Sequence, residues 1–422
     1  MKKILIITDL YYPKASANGV IVRQVALALK KNGYEVHIVS YKNINELSME
    51  TIDDIRIFRT QPRLFFMLRQ FGEENIDRKI GRLAYKFGMF LNKLKRTIYY
   101  PRFPLSSISF IYRYFRLIEK LHREHKYSLV ISIFHPFESF VAGAMLKKKI
   151  PDLKFILYAF DSLSNVQGTK FVSTKTRDKK GWFWERKLYK YPDKIYNMKS
   201  HTNHYNQERY DIFRNKMEFL DIPLFQKTYQ VKQKDVFDKS NINWVYAGSF
   251  DYEKRNPVYL IKLFLDVNED KNSRMHFYSR GNCEEYIIKH SKLSNNQIVR
   301  HGFVNEDTFY DVIYNADVLV NIGVKSDAIS GKIFQYISTG RKIIHIYESE
   351  DEPCLEYLKN YPYALLINTN DDYQSNINKT REFINKTVKP LNLNKIAEMF
   401  NTNTPEYAAE VFDKFINKDL EV

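Results

Sequence analysis

The sequence predicts an α/β protein built from two doubly wound, Rossmann-like halves. Three observations carry that reading. Short apolar runs of strand length alternate with segments of helical period along the chain. The chain opens as strand, loop, helix and strand, the unit that a parallel sheet requires. The same alternation then restarts near residue 242, after a polar, Lys-rich stretch at 226–241 that reads as an interdomain linker.

In order, residues 3–9 form the first strand and 11–20 a loop. Residues 21–31 form a helix with Ile21, Val22, Val25 and Leu29 at helical spacing. Asn32-Gly33 ends it, and 34–40 is the second strand. There is no G-x-G-x-x-G, which argues against a nicotinamide or flavin site. Gly19 stands just before the helix, either for turn geometry or for close approach of a ligand. Residues 54–59 read as a third strand. A buried strand at 128–134 runs into His135-Pro136, followed by a helix at 139–149 and a strand at 154–161. A histidine at the carboxyl end of a central strand is placed either to meet a ligand or to pack. His201 and His204 lack a third metal ligand at proper spacing. In the second half, YAGS at 246–249 is followed by the loop DYEKRNP at 251–257, in which Lys254 and Arg255 are either anion-binding charges or a solvated pair.

Composition narrows the function classes. The 422 residues suffice for two domains, and 44% hydrophobic with 27% charged residues excludes a disordered chain. No apolar run approaches the ~20 residues needed to span a bilayer. The first residues, MKKILIITDL, read as a strand rather than a signal peptide. Cys283 and Cys354 show neither metal nor disulfide spacing, which points to a reducing cytoplasm. The net charge of +17 implies an anionic partner: nucleic acid, an anionic membrane or a phosphorylated small molecule. Much of the excess lies between Arg63 and Lys126, where fifteen Lys or Arg face five Asp or Glu, a balance of +10. Large apolar residues interleave those charges. The segment is either an interfacial amphipathic element or a pair of surface helices with a solvated basic face.

The most informative stretch is 327–344, DAISGKIFQYISTGRKII. It follows the apolar strand 317–322. A polar turn holding Ser330 and Gly331 leads into a helix from Lys332 to Ser338, which Gly340 terminates. A strand that ends in such a turn presents backbone N–H groups and a lysine to an anion at the sheet's carboxyl edge.

This stretch resembles the donor-site signature of retaining glycosyltransferases of the family-4 type. That signature has two acids separated by seven residues; Asp327 and Gln335 stand at those places, followed by Tyr336-Ile337-Ser338-Thr339-Gly340. The resemblance extends to the opening strand-loop-helix, the His135 turn and YAGSFDYEKRNP. It implies the GT-B fold, two Rossmann-like domains facing a central cleft. The expected divisions are an acceptor domain at 1–223, a linker at 224–241, a nucleotide-sugar domain at 242–403 and a helix at 404–422 that crosses back to the first domain.

The resemblance further implies transfer, with retention, of a sugar from a nucleotide-sugar donor such as a UDP-sugar. The acceptor would be a saccharide or a polyprenyl-linked saccharide in bacterial cell-surface polysaccharide biosynthesis. His135, Asp327 and Gln335 would be catalytic. Gly19, Lys254, Arg255, Ser330, Gly331 and Lys332 would bind the donor. Departure of a nucleoside diphosphate adds charge to the β-phosphate, and fixed cations stabilise it. Gln335 is an amide and cannot act as a base. Neither a metal nor a cofactor is expected. The enzyme would work in the cytoplasm, peripherally on the inner face of the plasma membrane, against an anionic surface and without nucleic acid. The alternatives are a sugar-nucleotide epimerase of the same fold and a basic nucleic-acid-binding protein.

Overall fold

The computed structural model describes residues 1–417 except 44, 63, 166–172, 226–231, 233–234, 270–271 and 325–328. The chain divides into two compact units, 1–223 with 405–422, and 224–404.

The first unit holds an eight-stranded sheet. Its strands are β1 (Lys3–Ile7), β2 (Glu35–Tyr41), β3 (Met49–Ile52), β4 (Ile55–Thr60), β5 (Leu129–Ile133), β6 (Lys154–Ala159), β7 (Lys194–Met198) and β8 (Met217–Leu220). The order is β3-β4-β2-β1-β5-β6-β7-β8. Only β3 is antiparallel, to β4. The strand β3 is not apparent from the apolar pattern, because its residues are half-buried or exposed. It exists because Asp53 and Asp54 both take positive φ (54° and 56°), the geometry of a tight hairpin turn. The interior strands are apolar on both faces because helices cover both sides of a parallel sheet. The helix Pro405–Asn417 belongs to this unit: Phe412 packs edge-on against Tyr158 at 5.2 Å, and Lys154 donates to the Ile416 carbonyl at 3.0 Å.

The second unit is a six-stranded parallel sheet of β9 (Ile242–Phe250), β10 (Ser273–Gly281), β11 (Ile298–Arg300), β12 (Val318–Ile322), β13 (Lys342–Tyr347) and β14 (Ala364–Asn368). The order is β11-β10-β9-β12-β13-β14. Trp244, Phe264, Phe277, Val320 and Ile344 centre its core. Part of the expected linker, 226–231 and 233–234, lies outside the described residues. His201 and His204 lie at a short helix, Thr202–Tyr205, which is followed by a 3-10 segment, Glu208–Lys216.

In each sheet the strand order reverses once, between β1 and β5 in the first and between β9 and β12 in the second. At such a switch point the flanking connections leave to opposite sides, and a crevice opens above the carboxyl ends of the two strands.

Candidate anion-binding site

The switch point of the second sheet is lined by cations. Strand β9 ends in Ala247-Gly248-Ser249-Phe250. The chain then turns tightly: the Asp251 carboxylate accepts from the backbone N–H of Glu253 at 2.8 Å and of Lys254 at 3.2 Å. The Arg255 N–H closes the turn on the Asp251 carbonyl at 2.8 Å. This folds Arg255 back over the strand end, where its Nη1 donates to Ser249 Oγ at 3.5 Å. Across the switch point, Lys332 opens the helix Lys332–Ser338 that follows β12. Its amino group reaches the strand end of β9: a Cβ at residue 248 would lie 3.0 Å from Lys332 Nζ and 3.1 Å from Tyr246 Oη. Glycine at 248 is what lets the lysine in. Tyr336, one turn further, fixes the helix to the same strand by accepting from the Ala247 N–H at 3.0 Å.

Burial, together with the nearby charges of Arg255 and Arg280, pushes the Lys332 ammonium down to about 8. Arg280 comes from the end of β10 and lies over the Phe303 ring at 4.4 Å. Among the described residues, none of the three cations forms an ion pair with a carboxylate. Three mutually repelling cations held together cost stability, and an anion placed between them would relieve that cost.

A buried polar chain backs the loop that leads to Lys332. Asn321 Nδ2 donates to His345 Nδ1 at 2.9 Å, which leaves Nε2 as the protonated nitrogen facing Glu352 Oε2 at 3.0 Å. The same carboxylate oxygen accepts from the Cys354 N–H at 3.1 Å. A Cβ at Gly323 would be 3.3 Å from Glu352 Cγ, so the chain leaving β12 passes directly over this network.

The residues expected from sequence divide clearly. Arg255 and Lys332 come together, and Ser330, buried, and Gly331 lie immediately before Lys332. The Lys332–Ser338 helix has only seven residues, so the side-chain cations rather than its N–H groups attract an anion. Lys254 is an exposed residue of the Asp251 turn and is not among the charges that press on Lys332. Gln335 donates to the Tyr310 hydroxyl at 3.1 Å. Asp327 lies outside the described residues. Arg280 had no mark in the sequence beyond its place at a strand end.

In the first unit, His135 is exposed at the carboxyl end of β5 and precedes a cis-proline. Asp9, just beyond β1 and on the other side of the switch point, carries a carboxyl raised by burial, an effect opposed by the Ser16 hydrogen bond and by His135. Ser16 Oγ donates to Asp9 at 2.6 Å and accepts from the Gly19 N–H at 3.0 Å, capping the first helix. Gly19 has a packing reason for being glycine: a Cβ there would lie 2.2 Å from the Leu10 carbonyl oxygen. Asp9 was passed over in the sequence because an acid at a strand end is ordinary there. Among the described residues no group of three His, Cys, Asp or Glu is placed to hold a metal ion.

This architecture matches solved structures over its whole length. A sucrose-phosphate synthase from Thermosynechococcus elongatus superposes with a TM-score of 0.64 at 14% identity, covering 100% of both chains. WaaG, a glycosyltransferase involved in lipopolysaccharide biosynthesis, gives 0.56 at 12% identity over 97% of this chain and 99% of its own. A UDP-N-acetylglucosamine 2-epimerase assignment from Listeria monocytogenes gives 0.57 at 10% identity over 100% and 98%. The fold is therefore GT-B, with two Rossmann-like domains. No protein-family profile matches the chain, and no curated protein sequence does.

Proposed function

We propose that the chain is a retaining glycosyltransferase that takes a nucleotide-sugar donor, a UDP-sugar first among those to test. The observation that carries this is the cluster of Lys332, Arg255 and Arg280 at the switch point of the second sheet, without a carboxylate partner among the described residues. A diphosphate bound there meets fixed positive charge. When the sugar–oxygen bond breaks, charge grows on the β-phosphate, and cations already in place stabilise it without reorganising. The chain's own cations supply that charge, so transfer proceeds without a metal. Lys254, Ser330 and Gly331 flank the phosphates, and Asp327 and Gln335 hold sugar or ribose hydroxyls. Gln335 is no base, and the departing phosphate takes the acceptor proton. In the first unit His135 contacts the transferred sugar or acceptor.

The acceptor on this reading is a saccharide or polyprenyl-linked saccharide of a bacterial cell-surface polysaccharide. It is met at the anionic inner face of the plasma membrane. Nucleic acid is not a partner. The test is release of nucleoside diphosphate from a panel of nucleotide sugars, with and without acceptor. Acceptor-dependent release that Arg255→Ala lowers by about 100-fold or more supports the transferase. Turnover to an epimeric sugar without acceptor assigns the epimerase class instead.

A further inference from the structure

The first unit carries a helical hairpin built inside out. Its two helices, Leu64–Glu74 and Lys79–Tyr99, pack on each other through glycine. A Cβ at Gly72 would lie 2.5 Å from the Tyr85 backbone nitrogen, and one at Gly88 would lie 2.9 Å from that of Arg69. Small residues at the seam bring the backbones together, as in helix pairs that pack within lipid. The large apolar residues are outside. Ile80, Leu83, Phe87, Phe90, Leu94 and Ile98 follow three- and four-residue spacing along one stripe of the second helix, and all are exposed, Leu83 by 70% and Ile98 by 65%.

The first helix faces the body of the domain. Phe66 packs edge-on against Tyr41 at 5.6 Å, and Arg113 ties the entry by donating to the Gln61 carbonyl at 2.7 Å. The exit is tied by Lys180, which donates to the Tyr100 carbonyl at 2.7 Å. The second helix is therefore the outer one. Its 21 residues hold six Lys or Arg and no Asp or Glu, and Lys79, Arg82, Lys86 and Lys93 are exposed beside the apolar stripe. A cavity of about 490 Å³ at the hairpin's root is lined by Leu64, Met67, Lys95, Ser109 and Arg113, an apolar flank with two cations.

We propose that this hairpin docks the protein on an anionic lipid surface. The Lys79–Tyr99 helix lies in the interfacial plane with its apolar stripe turned into the bilayer. Among the described residues no helix is long and apolar enough to cross a membrane, so the helix lies on the surface and does not span it. Charge selects lipid over a second copy of the chain, because pairing two such faces would bring two acid-free basic helices together. The inference rests on the proposed function only in supplying a reason to reach a lipid-linked acceptor; the docking itself needs neither donor nor acceptor.

The test is flotation of the full chain, without nucleotide, with vesicles of phosphatidylcholine alone or mixed with phosphatidylglycerol. The parent should float with the anionic vesicles at low salt, less at high salt, and poorly with phosphatidylcholine alone. Replacing Lys79, Arg82, Lys86 and Lys93 by Gln should lower partitioning on the order of 1000-fold. The triple change Leu83→Glu, Phe87→Glu, Phe90→Glu should abolish it. Both variants should melt and bind UDP as the parent does. Vesicle binding without UDP binding would overturn the transferase reading and leave the docking standing. Failure of the parent to float, or equal flotation of parent and both variants, overturns the proposal. So does a parent dimer that the Glu variant converts to monomer while neither floats, which would assign the stripe to a second copy.

Discussion

Lys332 reaches the end of β9 because residue 248 has no side chain: a Cβ there would stand 3.0 Å from the lysine Nζ. Two residues 84 positions apart thus make one feature, a half-buried cation at a sheet's switch point with Arg255 and Arg280 beside it.

Gly248→Val should displace the lysine, since the obstructing group is the flexible end of a side chain that can swing away. UDP affinity measured by calorimetry should fall by about tenfold or more, the loss of one charge-assisted contact. The melting temperature should change little. Unchanged affinity would remove Lys332 from the site.

Lys332→Met should separate stability from activity. It keeps an unbranched chain and removes a desolvated charge that two arginines repel. The variant should melt above the parent while donor turnover falls by about 100-fold or more. A variant that melts lower with normal turnover would make the lysine a packing residue.

The pH response follows from the direction of the same shift. Lys332 titrates at about 8 in the fold, below the ordinary 10.5. Between those values the unfolded chain binds the proton that the folded chain releases, so this group's cost to stability is full below about pH 8 and is relieved as pH rises towards 10.5. Donor binding runs the other way. Diphosphate affinity should hold below about pH 8 and weaken above it, and Lys332→Met should flatten that limb. A titration of UDP affinity in parent and variant checks both signs.

Gly19→Ala should behave as a packing defect. Its Cβ would meet a backbone oxygen at 2.2 Å, which cannot move without shifting the first loop. A loss of about 2–4 kcal/mol in a denaturant melt is expected. Full stability with lost donor affinity would instead make Gly19 a ligand-approach position.

His135→Ala should lower turnover and leave the melting temperature within a degree or two, because the side chain is exposed at its strand end. Reduced stability with normal turnover would reverse that assignment.

The sequence by itself determined the architecture. Apolar runs such as KILII in β1 and VLVNI in β12 are buried on both faces, and their short length and β-branched residues fit strands covered on both sides. The Ser-Gly-Lys turn before the 332–338 helix was legible because burial, turn geometry and helix termination are local properties of residues near one another in the chain. The composition of the cation cluster was legible only in part. Arg255 and Lys332 stood in recognisable loops. Arg280, Asp9 and the pairing of Gly248 with Lys332 did not, because each depends on which strand ends lie side by side. The same limit hid the inside-out hairpin. Its basic and apolar composition was plain, but periodicity cannot say which face of a helix meets its neighbour. Close contact at Gly72 and Gly88 decided that, turning the Phe and Leu stripe outward.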